Sequence, residues 1–177
     1  MDRDEFWQLI EQARDSVPDR ADDEAVAERA AELLAARPRE EIAAADRVLW
    51  ELMADSYLDP LWAAAYLING GCSDDGFDYF RGWLILQGRE TFEQALREPD
   101  TLAQLPAVRE AAAEEEVLEC EATLAIAWDA HLAATGAELP DDAGTAERPE
   151  PEPSGALDFD DDAQLAALLP RLAGLYG

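Results

Sequence analysis

Polar side chains whose types and spacing could do chemistry are concentrated between residues 69 and 89. Asp74, Asp75 and Asp78 could bind a divalent cation, because hard cations prefer several carboxylate oxygens. Paired carboxylates can also act as general acid and base. However, the twelve-residue calcium-binding pattern is absent, and helix capping explains these aspartates more simply. We therefore predict no metal ligand and no catalytic residue here.

Two arginines in this stretch, Arg81 and Arg89, could bind a small anion or a partner's carboxylate together with Gln87. Arg81 lies on a helix that is otherwise largely apolar, and its nearest candidate partners are Asp74, Asp75 and Asp78. Asp78 precedes Arg81 by three positions, so these two side chains can reach each other. A charge removed from water needs a partner. We interpret Arg81 as half of a structural ion pair and expect Arg89 to be exposed.

A cysteine and a histidine offer a second kind of chemistry. Cys72 precedes Ser73 and the start of a helix, a setting that can lower the pKa of a thiol. His131 is the single histidine of the chain, and a Cys/His pair could support nucleophilic catalysis. The apolar residues around His131 favour a packed core histidine instead. An enzyme of undetermined reaction that uses the Cys72–Arg81 neighbourhood stays an alternative.

Two helices are expected to position these residues. Asp59 caps the first, and Pro60 suits the first helical position because it lacks an amide hydrogen. Asn69, with two glycines after it, ends that helix, and Ser73 or Asp74 caps the second. The candidate cluster, which serves either binding or structure, comprises Asn69, Ser73, Asp74, Asp75, Asp78, Arg81, Gln87 and Arg89.

The second helix carries a glycine, Gly82, in its interior. Glycine at such a position costs about 1 kcal/mol relative to alanine, and close approach by another helix would compensate for this cost. The aromatic residues of the two helices are expected to lie mostly in the core, although some of them could line a groove. The aromatic residues in question are Trp62, Tyr66, Tyr79, Phe80 and Trp83.

The same region resembles a known family. Leu-Trp-Ala-Ala-Ala-Tyr-Leu-Ile at 61–68, the Gly-Gly-Cys-Ser-Asp-Asp-Gly-Phe block at 70–77 and Phe-Arg-Gly-Trp-Leu-Ile at 80–85 are similar to the bacterial family called domain of unknown function 4240. Shorter familial pieces are Phe6-Trp7, Gln87-Gly88-Arg89, Pro99-Asp100 and Pro170-Arg171-Leu172. The resemblance covers residue 4 to about 135, with a weaker echo at the C-terminus. It implies a fold neighbourhood and no activity.

Helical periodicity extends over most of the chain, and no strand pattern or repeat interrupts it. The predicted helices are one capped by Asp4 and closed by Pro18, then 24–37, 39–57, the two central helices, 89–97, a short turn after Pro99, and 106–135. The last is the longest, and its buried face is expected to comprise Val117, Cys120, Leu124, Ala127 and His131. After it, residues 137–156 have the composition of a disordered linker, and a short C-terminal helix is expected to dock on the domain.

The charge excludes several classes of partner. The chain of 177 residues has 41 acidic and 13 basic residues and a net charge of −28, with no basic patch. Binding to a nucleic-acid backbone or to an anionic membrane surface is therefore not expected. Every basic residue is arginine, which suggests a G+C-rich bacterial genome. Two cysteines give no disulfide framework, no signal peptide or transmembrane run is present, and we expect a cytoplasmic location.

We predict an all-α protein with a single domain of about six to seven helices at 1–136, a linker at 137–156 and a helical segment at 157–177. The preferred function is a binding module for a basic protein partner or a small ligand, with a groove around the 69–89 turn. The alternatives are the enzyme, a DNA mimic or inhibitor of a basic protein, and a structural subunit. No cofactor is expected, and the oligomeric state stays open.

Overall fold

The computed structural model describes residues 1–140, 157–159 and 161–177, and within these ranges the protein is all-α, as predicted. Eight α-helices and one 3₁₀ helix lie in residues 1–136, more than the six to seven expected, and two further helices lie in the C-terminal segment. In chain order they are α1 Arg3–Ser16, α2 Asp23–Ala35, α3 Arg39–Asp55, α4 Asp59–Ile68, α5 Asp74–Leu86, α6 Arg89–Arg97, the 3₁₀ helix Pro99–Gln104, α7 Pro106–Glu114, α8 Ala122–Thr135, α9 Asp162–Leu168 and α10 Pro170–Tyr176.

Two of the predicted helix caps are displaced. Asp2, not Asp4, caps α1: its carboxylate accepts the amide N–H of Glu5 at 2.9 Å, and the Glu5 carboxylate accepts that of Asp2 at 2.8 Å. This reciprocal pair satisfies two amides that the helix leaves free, which a single cap at Asp4 would not do. Asp59 is the first residue of α4 and Leu58 precedes it as the cap, so Asp59 contributes its charge at the positive end of the helix dipole.

Helix α8 lies at the centre of the fold and packs against α2, α3 and α5. The approach to α5 requires Gly82, because a Cβ atom there would lie 2.5 Å from the backbone oxygen of Cys120 and 3.3 Å from the Cβ of Thr123. The expected close approach at Gly82 is therefore confirmed. The groups that approach Gly82 belong to the first turn of α8 and to the chain directly before α8.

The prediction of one helix from 106 to 135 is wrong, because the chain leaves the helical path at Glu115. Glu115 has φ 57°, in the left-handed region, and the carboxylates of Glu114–Glu116 lie at the negative end of the α7 dipole, where they are unfavourable. The segment 116–121 that follows is not helical. Val117, predicted to be buried, is consequently 59% exposed, whereas Cys120, Ala127 and His131 are buried as expected.

The C-terminal helices pack on the body of the protein. Helix α10 contacts α4, the 3₁₀ helix and α7, while α9 packs against α10. Leu165, Leu169 and Leu172 supply the buried apolar contacts and are at most 1% exposed. Of the predicted linker, residues 141–156 lie outside the described residues. Within the described ranges, the helices are too short or too polar to span a lipid bilayer.

Candidate functional site

Arg81 is the buried centre of the predicted cluster and is only 4% exposed. Its Nη2 pairs with the carboxylate of Asp78, its Nη1 donates to the backbone oxygen of Met53, and its Nε donates to that of Phe77 at 3.3 Å. The guanidinium carbon also lies 4.8 Å from the ring centre of Tyr57 and 4.7 Å from that of Phe77. The predicted structural ion pair of Arg81 is thus confirmed, and Asp78 is the one of the three candidate aspartates that forms it.

The surroundings of Arg81 act on its charge in opposite directions. Desolvation by burial lowers the pKa of the guanidinium, and the neighbouring carboxylate of Asp78 raises it. The side chain of Asp78 is 39% exposed, so water still solvates the anion of the pair. Because all three nitrogens of Arg81 donate within the protein, the side chain holds α5 to the end of α3 and has little capacity left for a ligand.

Ser73, Asp74 and Asp75 occupy the first turn of α5 at the surface. The Ser73 hydroxyl accepts the amide N–H of Gly76 at 3.1 Å, which confirms Ser73 as the cap. Asp74 and Asp75 are exposed in the turn that follows, where their charges favour the helix dipole. Among the described residues, no three His, Cys, Asp or Glu side chains come together in a way that could hold a metal ion.

Asn69 joins two segments that are far apart in the sequence. Its side-chain oxygen accepts the amide N–H of Leu118 at 2.9 Å, and its side-chain nitrogen donates to the Leu118 oxygen at 3.3 Å. The same non-helical segment is bound to α5, since the amide of Cys120 donates to the Tyr79 oxygen at 3.0 Å. Asn69 therefore holds the chain between α7 and α8 in place, a role that the sequence pattern did not indicate.

Gln87 follows the other end of α5, in a second, partly buried polar cluster. Its side-chain nitrogen donates to Asp23 at 3.0 Å and to the backbone oxygen of Trp83 at 3.2 Å, and its own backbone oxygen accepts from Arg14 at 3.0 Å. Burial raises the pKa of Asp23 to about 6, although Gln87 and Arg14 oppose the rise. The indole N–H of Trp83 also opposes the rise in the pKa of Asp23, although it makes no hydrogen bond of good geometry to a described residue. Sequence reasoning missed Asp23 because Asp22-Asp23 resembles an ordinary helix cap.

Replacing Asp23 with Asn is expected to stabilise the protein at neutral pH and not at acidic pH. The pKa of Asp23 is higher in the folded state than its usual 3.8, so the ionised carboxylate costs folding free energy above about pH 6 and nothing below about pH 4. Asn keeps an oxygen for Gln87 and removes the charge, which predicts a gain of roughly 2 kcal/mol at pH 7.5. Urea denaturation of both proteins between pH 4 and pH 8 measures the difference. A difference that stays constant with pH would contradict the prediction.

Arg89, at the start of α6, is exposed as predicted, with 48% of its side chain accessible. Its Nη1 lies 2.5 Å from the Asp4 carboxylate and its Nε lies 2.7 Å from that of Glu93. These two carboxylates raise the pKa of Arg89. Arg89 thus connects α1 to α6 on the surface and remains accessible to a partner's carboxylate.

The helix start, which could have lowered the pKa of Cys72, does not do so. Burial, reinforced by the nearby carboxylate of Glu119, raises the pKa of this thiol to about 12. The thiol is consequently protonated at neutral pH and is a poor nucleophile. His131 is 9% exposed, and its Nδ1 lies 3.0 Å from the backbone oxygen of Ala137, which fits the core histidine expected from the sequence.

An aromatic cluster beside Arg81 extends to the C-terminal segment. The rings of Trp62 and Phe77 stack at 4.8 Å with an angle of 9°, and Tyr57 contacts both of them edge-on. Phe159 continues the cluster, since its ring lies 5.5 Å from Tyr66 and 5.8 Å from Trp62. Phe159 is the single aromatic residue between positions 128 and 176. This isolated position in an otherwise non-aromatic stretch could have indicated that Phe159 contacts the rest of the protein.

The outer face of α8 exposes large apolar side chains, which the sequence analysis did not predict. Helix α8 has fourteen residues. Asp129 is its one acidic residue, and the helix contains no arginine or lysine. One face is buried against the neighbouring helices, yet Trp128 is 39% exposed and Leu132 is 44% exposed. These two residues are four positions apart and therefore lie on the same face of the helix. We call this surface, Trp128 and Leu132, the α8 face.

An open cavity of about 240 Å³ lies between α6 and the 3₁₀ helix. Glu90, Gln94, Thr101 and Gln104 contribute polar atoms to its lining, and Leu102 and Leu105 contribute apolar ones. None of the eight candidate residues is among its lining residues. The cavity therefore lies apart from the predicted cluster.

The eight candidate residues do not converge on one cleft. They divide into the cap at the start of α5, the buried Arg81 pair, the Asn69 bridge, the Gln87 cluster and the exposed Arg89.

No curated protein and no solved structure matches the chain. A family model described as protein of unknown function (DUF4240) matches residues 1–132, about three quarters of the sequence. The chain therefore belongs to the DUF4240 family, as the motifs around residues 61–85 predicted.

Proposed function

We propose that this protein is an interaction module that binds a basic protein partner through the α8 face. The observation that carries the proposal is the exposure of Trp128 and Leu132 on a helix that is apolar around most of its circumference. A helix of this composition is normally covered on all sides. Tryptophan is also the residue type that most often dominates the energy of a protein interface.

The charge of the molecule supports a basic partner. The net charge is −28, so long-range attraction would accelerate the encounter with a positively charged protein and suppress binding of acidic ones. Glu121 and Asp129 are exposed on α8 or directly before it and can pair with basic residues around an apolar contact. An apolar centre with a charged rim is the usual anatomy of a protein interface.

The contacts of the 69–89 turn favour the α8 face over that turn. Arg81, Asn69 and Gln87 are each occupied by hydrogen bonds within the chain. A ligand that used them would first have to break those bonds, at a cost in folding free energy. The α8 face makes no such demand, because its apolar side chains gain by burial alone.

The double variant Trp128→Ala, Leu132→Ala is expected to lose partner binding while keeping its fold, because neither side chain belongs to the hydrophobic core cluster and Ala suits a helix. We expect affinity for a basic partner to fall roughly tenfold or more, as for loss of an interface tryptophan. The partner is isolated by cross-linking from the source lysate, and its affinity for each purified variant is measured by titration calorimetry at low and high salt.

Val117→Ala is the matched control, since Val117 is 59% exposed and lies outside α8. A partner retained by this variant and lost by the double variant supports the proposal. Equal binding by all three proteins, with affinity that depends on salt alone, would mean that the net charge acts non-specifically, and it would overturn the proposal.

A further inference from the structure

The C-terminal segment, residues 157–177, occupies a groove that the rest of the chain forms. We call the surface between α4, the 3₁₀ helix and α7 the α10 groove, because α10 lies against all three. Every wall of this groove belongs to the stretch that the family model matches, residues 1–132, whereas the segment lying in it is outside that match. The groove and its occupant are thus separable parts of the sequence.

A buried carboxylate fixes the start of α10 in the groove. Asp100 is 7% exposed, and its Oδ1 accepts the amide N–H groups of Arg171 and Leu172, each at 3.0 Å. Pro170 has no amide hydrogen, and α10 has no side-chain cap of its own, so Asp100 performs the capping from another part of the fold. Pro99-Asp100, within the family match, and Pro170-Arg171-Leu172, outside it, therefore meet here.

Two further contacts hold the ends of the segment. The hydroxyl of Tyr176 donates to the backbone oxygen of Val108 at 2.9 Å. At the other end the ring of Phe159 stacks on Tyr66 at 5.5 Å with an angle of 20°. With the three buried leucines of α9 and α10, these contacts form the pattern by which a groove recognises an amphipathic helix.

Charge opposes this intramolecular contact. The segment carries four aspartates and one arginine, and the remainder of the chain is also strongly acidic. Arg171 partly relieves the repulsion, since its side chain lies 3.8 Å from Asp100 and 3.8 Å from Glu98. An uncharged or basic helix with the same apolar positions would consequently fit the groove better than the segment that fills it.

We propose that the α10 groove is a binding site for a basic amphipathic helix of another protein, and that the C-terminal segment is its exchangeable intramolecular occupant. Attachment to the same chain gives the segment an effective concentration on the order of millimolar, which offsets its unfavourable charge. A partner segment displaces it if it has leucines at the positions of Leu165 and Leu169, then a proline and an arginine, and then a leucine at the position of Leu172. This proposal does not depend on binding at the α8 face.

The test uses the full chain with a protease site placed within residues 141–156 and cut after folding. A fluorescent peptide of residues 157–177 is then added, and its uptake is followed by fluorescence anisotropy. Ala166 and Ala167 are exposed in the last turn of α9, so a peptide with Ala166→Lys and Ala167→Lys gains charge without losing a buried contact. The peptide with Ala166→Glu and Ala167→Glu is the matched control, and Leu172→Glu removes a buried anchor.

We expect the cut protein to keep its helical circular dichroism and to exchange its segment for the peptide much faster than it unfolds. The lysine peptide is expected to bind roughly tenfold or more tightly than the glutamate peptide at low salt, with a smaller ratio at high salt, and the Leu172→Glu peptide is expected not to bind. The proposal is overturned if the cut protein unfolds, if the segment leaves only on unfolding, or if the two charge variants bind equally.

Discussion

Replacing Arg81 with Met is expected to lower the free energy of unfolding by about 3 kcal/mol. The substitution retains most of the aliphatic length and removes the charge, the donors to Met53 and Phe77 and the pair with Asp78. The buried backbone oxygen of Met53 then loses one of its two donors and keeps the Ser56 hydroxyl at 3.1 Å, and the cation above the Tyr57 ring is lost. Urea denaturation followed by circular dichroism measures the loss.

Arg89→Met provides the control for this prediction. It makes the same substitution at an arginine that is ion-paired on the surface of the protein. Arg89 pairs with two carboxylates, those of Asp4 and Glu93. Exposed ion pairs contribute little, because water and salt screen them, so the melting temperature is expected to change very little. If Arg81→Met proved as mild as Arg89→Met, the burial and hydrogen bonding of Arg81 would not be contributing to stability, and the side chain would be available to bind a ligand.

Replacing Gly82 with Ala is expected to destabilise the protein by about 3 kcal/mol, although alanine is the better helix former. The new Cβ atom would lie 2.5 Å from the backbone oxygen of Cys120. That oxygen cannot move freely, because the amide of Cys120 is bound to the Tyr79 oxygen and α8 begins two residues later. Thermal and urea denaturation measure the effect, and we expect α5 and α8 to move apart.

Gly174→Ala is the matched control and is expected to have the opposite sign. Gly174 lies inside α10, and a Cβ atom there would meet nothing within 4 Å. The substitution should therefore stabilise the protein by about 0.5 to 1 kcal/mol through helix propensity and a less flexible unfolded chain. A stabilising effect at both glycines would show that α5 and α8 are not in close contact at Gly82.

The sequence predicted those features that depend on neighbours within a few residues. The bounds of α2 to α6, to within two residues, the Ser73 cap and an ion pair of Arg81 follow from helical periodicity, caps and three-residue spacing. The membership of the DUF4240 family followed from the contiguous blocks in 61–85. Each of these signals is local, and sequence reasoning reads local signals well.

The features that could not be predicted depend on contacts between distant residues. The break after α7 is held by Asn69, which lies 49 residues before Leu118. The raised pKa of Asp23 is caused by burial in the folded protein, where its neighbour Gln87 comes from a position 64 residues further along the chain. The contact of Asp100 with α10 spans 71 residues or more. Periodicity shows that a helix face is apolar. It does not show which element covers that face, or that a residue such as Trp128 stays 39% exposed.

The position of the α10 groove also has a consequence during synthesis of the protein. The residues that form its walls are complete by Glu114, whereas the segment that covers it, residues 157–177, is made later. At 5 to 20 residues per second, about 60 further residues take roughly 3 to 12 s to make. During this interval the apolar groove of each nascent chain is open. We expect the acidic residues already made to repel other unfinished copies and to limit aggregation through the open groove until the covering segment is made.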